Sequence, residues 1–518
     1  MMSGRKKPNI LLITADQWRA DCVAARNPHI KTPFIDRLMH ESVIFKKHYC
    51  GSAPCSPSRA GLYTGLFQMN HRVVRNGTPL DNRFDNIARL ARRAGYEPTL
   101  FGYTDIAADP RGRNLDDPAL TTYEGVLDGF TARQPLPAHE GPWIDWLRAR
   151  KKLYTDPERI HEPRGGPTER VTNNSPLYSG GDTQTVFLAD AFIDWIEDGE
   201  ASEPWFAHIS FLRPHPPFIV PPPYNLVYKP EDGPPFARNS SREEDAEIHP
   251  YVGFGYERQK TRPFLAGTNG HVRDLTVEDF AQLRAIYYGM VSEVDYQLSM
   301  ALGAVRRNGM WDDTIVILTS DHGEMMGDHW FLGKGGFFDG SYHIPLIIKP
   351  RDAGRDSGRM VDRYTLAADI VPTIADILDE PLMNAVDGRS LVPLLAGEEP
   401  NDWRNHAFWE YDFRSIAHGH AEEYFGLPSQ LCNLSVLRDD DFKYVHFAGL
   451  PPVLFDLQAD PHELVNVAEV RAFASVRLDY AERLLSLRAQ HLDQTLANVE
   501  YTPSGPVAQQ PSGLRLQD

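Results

Sequence analysis

Two apolar runs constrain this chain most: Asn-Ile-Leu-Leu-Ile-Thr at 9–14 and Thr-Ile-Val-Ile-Leu-Thr-Ser at 314–320. Each breaks off into a carboxylate, Asp16 after the first and Asp321 after the second. Short, nearly uninterrupted runs rich in branched side chains fit strands covered on both faces. Helical patterns alternate with further runs of the same kind. Residues 32–42 open on Thr32 and Pro33 with helical apolar spacing, and 84–95 form an amphipathic helix closed by Gly95. Strands are expected at 97–103, 205–212 and 344–350, and helices over 183–198, roughly 276–308 and 366–378. The alternation predicts an α/β fold: a large, mainly parallel central sheet flanked by helices.

After about residue 400 the pattern shifts to hairpin-like segments such as Leu-Ser-Val-Leu-Arg-Asp-Asp-Asp-Phe-Lys-Tyr-Val at 434–445, followed by a charged helix over roughly 469–496. A small C-terminal α+β subdomain with an antiparallel sheet is expected there. The division is 1–399 for the main α/β domain, 400–500 for the subdomain, and 501–518 for a tail or oligomerisation arm. Residues 104–180 and 213–270 are rich in proline, glycine and charge, and loops of that length are usually functional or partner-contacting.

A formal net charge of −18 over 518 residues argues against a nucleic-acid-binding surface. It does not exclude small anionic substrates, because a metal ion and a few basic groups reverse the field locally. No apolar run approaches the ~20 residues of a membrane span. The N-terminal run is too short for a signal-peptide core, so the expected location is cytoplasmic. Four cysteines, Cys22, Cys50, Cys55 and Cys432, do not make a disulfide framework, and reduced thiols are expected.

In a doubly wound sheet, ligands gather beyond the carboxyl ends of the strands, so Asp16-Gln17 and Asp321-His322 can meet there. Two carboxylates, an imidazole and an amide suit a divalent ion such as Mn²⁺, Ca²⁺ or Mg²⁺; the carboxylates would equally serve to cap turns. Pro-Cys-Ser-Pro-Ser-Arg at 54–59 puts Cys55 at a helix start, with Arg59 one turn on. The helix dipole and Arg59 would both lower the thiol pKa, which makes a thiolate nucleophile sensible. A buried apolar cysteine is the alternative.

The stretch Cys-Ser-Pro-Ser-Arg-Ala-Gly-Leu-Tyr-Thr-Gly from residue 55 resembles the sulfatase signature that directs oxidation of its cysteine to formylglycine. Ala-Asp-Gln-Trp-Arg at 15–19, the run from Ser320 to Lys349, and Leu-Phe-Asp-Leu-Gln-Ala-Asp-Pro-His-Glu-Leu at 454–464 follow in the order of a sulfatase-like member of the alkaline phosphatase superfamily. Segments 69–81, 100–105 and 212–218 look most like phosphonate monoester hydrolases, which also cleave phosphodiesters. That resemblance implies metal ligands Asp16, residue 55, Asp321 and His322, with one divalent ion, Mn²⁺ ahead of Ca²⁺. It implies that the hydrated aldehyde of residue 55 is the nucleophile, with Arg59 holding its hydroxyl anionic. His215 and Lys334 would contact the transferring group and leaving oxygen, while Gln17, Asn76 and Tyr103 line the pocket. Asp105 stands where the resemblance calls for a small hydroxyl residue, a role Thr104 could take. Further implications are a small anionic phosphonate or phosphodiester substrate, maturation by a formylglycine-generating enzyme, and a homotetramer. The rival within the superfamily is an aryl or choline sulfatase, although calcium-binding sulfatases usually carry two adjacent aspartates where this chain has Asp16-Gln17.

Overall fold

The structure, a computed structural model, describes residues 7–508 apart from 138, 169, 352–357, 384, 416–417 and 495. Residues 509–518 of the expected arm lie outside the described residues. Eight strands build the main sheet: β1 (Asn9–Ala15), β2 (Val43–Tyr49), β3 (Pro98–Gly102), β4 (Thr131–Pro135), β5 (Phe206–Phe211), β6 (Thr314–Thr319), β7 (Leu346–Lys349) and β8 (Arg359–Leu366). Their order is β4-β3-β5-β1-β6-β7-β2-β8. All run parallel except β7, which is antiparallel to β6 and β2.

Side-chain alternation explains why the apolar runs are nearly continuous. Leu11, Ile13 and Ala15 of β1 face one core, while Ile10 and Leu12 face the other, and all are fully buried. The first core is closed by the Gln184–Glu197 and Val277–Arg307 helices, through Phe187, Phe192, Tyr287 and Val291. The second is closed by the helices Cys55–Thr64, Ile87–Arg93 and Ile370–Leu378. Helix starts follow side-chain caps: Asn86, Thr183 and Thr276 each accept from backbone N–H groups of the first turn, and Thr276 and Asp279 form a reciprocal capping box.

A second, four-stranded antiparallel sheet, ordered β12-β11-β10-β9, is made by β9 (Ala407–Asp412), β10 (Asn433–Arg438), β11 (Phe442–Phe447) and β12 (Val453–Asp456). The Ala474–Gln490 helix packs on it through Tyr480, Leu484 and Leu487. Straddling the expected start of the tail at 501, β13 (Val499–Thr502) and β14 (Gly505–Ala508) form an antiparallel hairpin, whose turn is Pro503 and Ser504. No helix among the described residues is long and apolar enough to cross a membrane.

β1 lies between β5 and β6, so their carboxyl ends emerge side by side. Ser320 Oγ donates to the Ala15 carbonyl (2.7 Å) and accepts from Trp18 N (2.9 Å), tying the β1 and β6 ends together. On the other flank β3 closes tightly on β5. A Cβ at Gly102 (φ 115°) would lie 2.2 Å from the Ser210 carbonyl oxygen. Gly102→Ala should therefore lower the thermal unfolding midpoint clearly more than Gly95→Ala, whose Cβ would meet nothing within 4 Å although both glycines have positive φ. Equal midpoints for the two variants would contradict that close approach.

Candidate active site

The strand ends and one helix start converge on a single cluster. Asp16 Oδ1, Cys55 Sγ, an Asp321 carboxylate oxygen and His322 Nε2 lie within 4.8 Å of one another, all buried. Cys55 begins the Cys55–Thr64 helix, every residue of which is buried. Its N-cap, Pro54, has no side chain able to cap, and Asn76 supplies the missing acceptor: its Oδ1 takes the Ser56 N–H at 3.0 Å.

Arg59 organises the cluster. Its Nε donates to Asp321 Oδ2 (2.9 Å) and its Nη2 to Asp16 Oδ2 (3.1 Å) and the Tyr103 hydroxyl (3.2 Å), while Nη1 donates to Ser210 Oγ (2.9 Å). The side chain is 0% exposed, and the guanidinium lies 4.4 Å from the Tyr103 ring centroid. Tyr103 in turn donates to Asp16 Oδ2 at 2.6 Å. This corrects the expectation that Arg59 lowers the pKa of the Cys55 thiol. Its donors are taken up by the two carboxylates and their neighbours, and the thiol pKa is not lowered but pushed well up, by burial first and then by Asp16, with Asp321 and Asp105 adding to it against Lys334. Burial alone would raise the Asp16 carboxyl, yet Arg59, His322 and Lys334 hold it down at about 2.

The donor set fits a divalent cation. Asp16 Oδ1 is buried and accepts no hydrogen bond, so one lone-pair face points unsatisfied into the cluster. His322 Nδ1 lies 3.0 Å from the Gly323 carbonyl, which only an N–H can satisfy. That fixes the tautomer and leaves Nε2 as a lone pair 3.2 Å from Cys55 Sγ. Two carboxylates and an imidazole suit Mn²⁺, Ca²⁺ or Mg²⁺, and sulfur is the one donor out of character with such an ion.

Lys334 reaches in from the loop after β6. Its Nζ donates to Gln17 Oε1 at 2.6 Å, and its pKa is raised: burial opposes the charge, but Cys55, Asp16, Asp321 and Glu324 outweigh it. Gln17 (φ 68°) gives its N–H to Asp321 Oδ1 (3.1 Å) and its side-chain amide N–H to Glu324. Glu324 is the residue that sequence reasoning missed. It is 0% exposed, takes the Gln17 amide and the N–H groups of Met326 and Gly333, and so holds Gln17 and the Lys334 loop together. The only signal was a lone acid in the glycine- and methionine-rich run after His322.

His215 is half-buried, its Nδ1 donating to the Pro216 carbonyl at 2.7 Å, so Nε2 is the free position. Its pKa is lowered by burial and then by Lys334, with His322 a smaller cause. Asp105 (φ 56°) is 3% exposed, accepts from Ser56 Oγ at 3.2 Å, and is pushed up to about 8, mainly by burial. Thr104 is not brought to the cluster. Its hydroxyl donates to Gly125 O (2.7 Å) and accepts from Leu127 N (2.8 Å), which fixes a neighbouring loop, so the small-hydroxyl role does not pass to it.

Residues 8–380 match the family model "Sulfatase", and 327–490 match "N-sulphoglucosamine sulphohydrolase, C-terminal". The chain is 57% identical to a crystal structure of the phosphonate monoester hydrolase of Agrobacterium radiobacter, with a TM-score of 0.95 over 98% of this chain and 100% of that one. A phosphonate monoester hydrolase from Silicibacter pomeroyi is 38% identical, with a TM-score of 0.91 over 97% and 99%. A multifunctional alkaline phosphatase superfamily protein, PehA, of Trinickia caryophylli is 37% identical over 96% of this chain and 98% of its own.

Arg59→Met leaves two buried carboxylates without their counter-charge. It should destabilise the fold by about 3–5 kcal/mol and abolish turnover. A variant with wild-type thermal stability and metal content would refute the bridging role.

Proposed function

The chain belongs to the sulfatase family of the alkaline phosphatase superfamily, and from that premise we propose that it is a metal-dependent hydrolase of phosphonate monoesters and phosphate diesters. The nucleophile is a formylglycine made from Cys55. The observation that carries this reading is the convergence of Asp16, Cys55, Asp321 and His322, with Asp16 Oδ1 unsatisfied, in a chain 57% identical from end to end to a phosphonate monoester hydrolase.

Asp16, Asp321, His322 and an oxygen of residue 55 would hold one divalent ion, Mn²⁺ first and Ca²⁺ second, which polarises a bound phosphoryl oxygen and lowers the nucleophile's pKa. A hydrated formylglycine at 55 would supply two hydroxyls on one carbon, a nucleophile for phosphorus and a second group able to release the product without attack by water.

The chain's own residues do the rest. Arg59 keeps Asp16 anionic and, by bridging to Asp321, fixes both carboxylates in place. The Lys334 ammonium faces the transferring group, where negative charge grows on the equatorial oxygens. His215 presents Nε2 to the leaving oxygen. A bound anion would offset the part of the His215 pKa lowering that comes from Lys334, favouring the protonated, donating form against the larger effect of burial. Tyr103 and Asn76 hold the carboxylate and the nucleophile helix from either side, and Asp105 lines the wall beside Ser56. The same reading carries with it a homotetramer, maturation by a formylglycine-generating enzyme and a cytoplasmic setting. The four unpaired cysteines support a reducing compartment.

The choice of phosphorus over sulfate esters is supported by residue 17. The Gln17 amide is clamped between Lys334 and the Glu324 carboxylate, so a second carboxylate at 17 would face Glu324 directly. A kcat/KM for an aryl phosphonate monoester well above that for the matching aryl sulfate is expected, and a large sulfate preference would overturn the assignment. Mass spectrometry of the 54–65 peptide should find aldehyde in place of thiol, and Cys55→Ala should lose turnover by several orders of magnitude. Chelation should remove both the metal and the activity, and re-addition of Mn²⁺ should restore them.

A further inference from the structure

The segment that carries His215 has only one hydrogen bond of its own backbone, from His215 N–H to the Leu212 carbonyl at 3.0 Å. Pro214, Pro216 and Pro217 have no N–H to give, and the strand ladder of β5 stops at Phe211. Its carbonyls need donors from elsewhere, and Arg213 provides them. That side chain is buried (4% exposed), and its Nη1 donates to both the His215 carbonyl (2.7 Å) and the Pro217 carbonyl (2.9 Å). These two carbonyls flank the Pro216 carbonyl, which receives the His215 Nδ1 proton. Fixing the outer pair therefore fixes the acceptor that sets the ring's tautomer and direction.

Arg213 is itself anchored from the long 104–180 segment. Its Nη2 lies 3.4 Å from the Tyr178 hydroxyl and 3.5 Å from His161 Nδ1. His161 Nε2 sits 2.9 and 3.1 Å from the two Glu140 oxygens, so Nε2 carries the proton and Nδ1 presents its lone pair towards Arg213. Glu140 also takes the Gln184 amide, from the first turn of the Gln184–Glu197 helix. Trp143 packs the assembly, stacked on His161 (5.7 Å, 16°) and edge-on to Tyr178 (5.4 Å, 86°), with its indole N–H on Asp182 O (2.9 Å). A hydrogen-bonded line thus runs from Glu140 through His161 and Tyr178 to Arg213, and ends on the backbone of the His215 turn.

We infer that Arg213, anchored by Glu140, His161 and Tyr178, is the positioning residue that aims His215 Nε2 at the leaving oxygen. The inference rests on the reading that His215 serves that oxygen. A proton donor displaced by a fraction of an ångström matters most where the departing oxygen is most basic. Loss of general stability would instead lower every rate alike.

The test is a series of aryl phosphonate monoesters whose phenols differ in basicity. The holoenzyme, His215→Ala, Arg213→Lys, Arg213→Met and His161→Ala are each assayed for kcat, KM and thermal midpoint. Arg213→Met is expected to lose about 100-fold in kcat on the most basic phenol and little on the most acidic, with KM nearly unchanged. Arg213→Lys, which retains a donor but not the two-carbonyl fork, should recover part of that loss. Should Arg213→Met fail to fold, His161→Ala shows the same trend at smaller amplitude. A steep dependence in His215→Ala with a uniform loss across the series in the Arg213 and His161 variants overturns the positioning role. A flat series in His215→Ala itself overturns the leaving-oxygen reading and the inference with it.

Discussion

One guanidinium holds the site together. Arg59 joins Asp16, from the end of β1, to Asp321, from the end of β6, with no part of it exposed to water. Two carboxylates this close and this deep would repel each other and protonate. With the cation between them that repulsion is offset, the Asp16 carboxyl is held low, and their remaining lone pairs are presented to a common point. Arg59 and Lys334 set two buried cations among the carboxylates of the centre. A divalent ion held there would add positive charge, favouring both loss of a proton from the nucleophile and arrival of an anion.

Much of this was legible in the sequence. The period-free apolar runs at 9–14 and 314–320 are strands with core on both faces, and Thr183 and Thr276 start their helices where a capping hydroxyl would put them. The meeting of Asp16, Asp321 and His322 was readable because each sits at a strand end, where local pattern and position in the fold coincide. Tyr103 and Lys334 were readable only through the resemblance, and the structure ties both to the cluster.

What stayed hidden depends on contacts between distant residues. The effect of Arg59 on Cys55 was reasoned along one helix, where the two are neighbours; the carboxylates that take up Arg59's donors and raise the thiol pKa come from 43 and 262 positions away. Thr104 looked like a spare hydroxyl until Gly125 and Leu127 were placed on it. Glu324 carries no motif of its own. His161 and Glu140 lie in a stretch without periodicity, and only the fold brings them to Arg213. The reversed direction of β7 was invisible for the same reason, since a short buried strand reads alike in either orientation.

The depth of the Cys55–Thr64 helix has one more consequence. All ten of its residues are buried. Another protein cannot grip that segment in the folded chain. An enzyme that converted the thiol would have to reach it before the chain folds. Folding would then be a deadline: a molecule that closed too early would keep its sulfur, intact in shape, and the converted fraction of a preparation would record the outcome of that race.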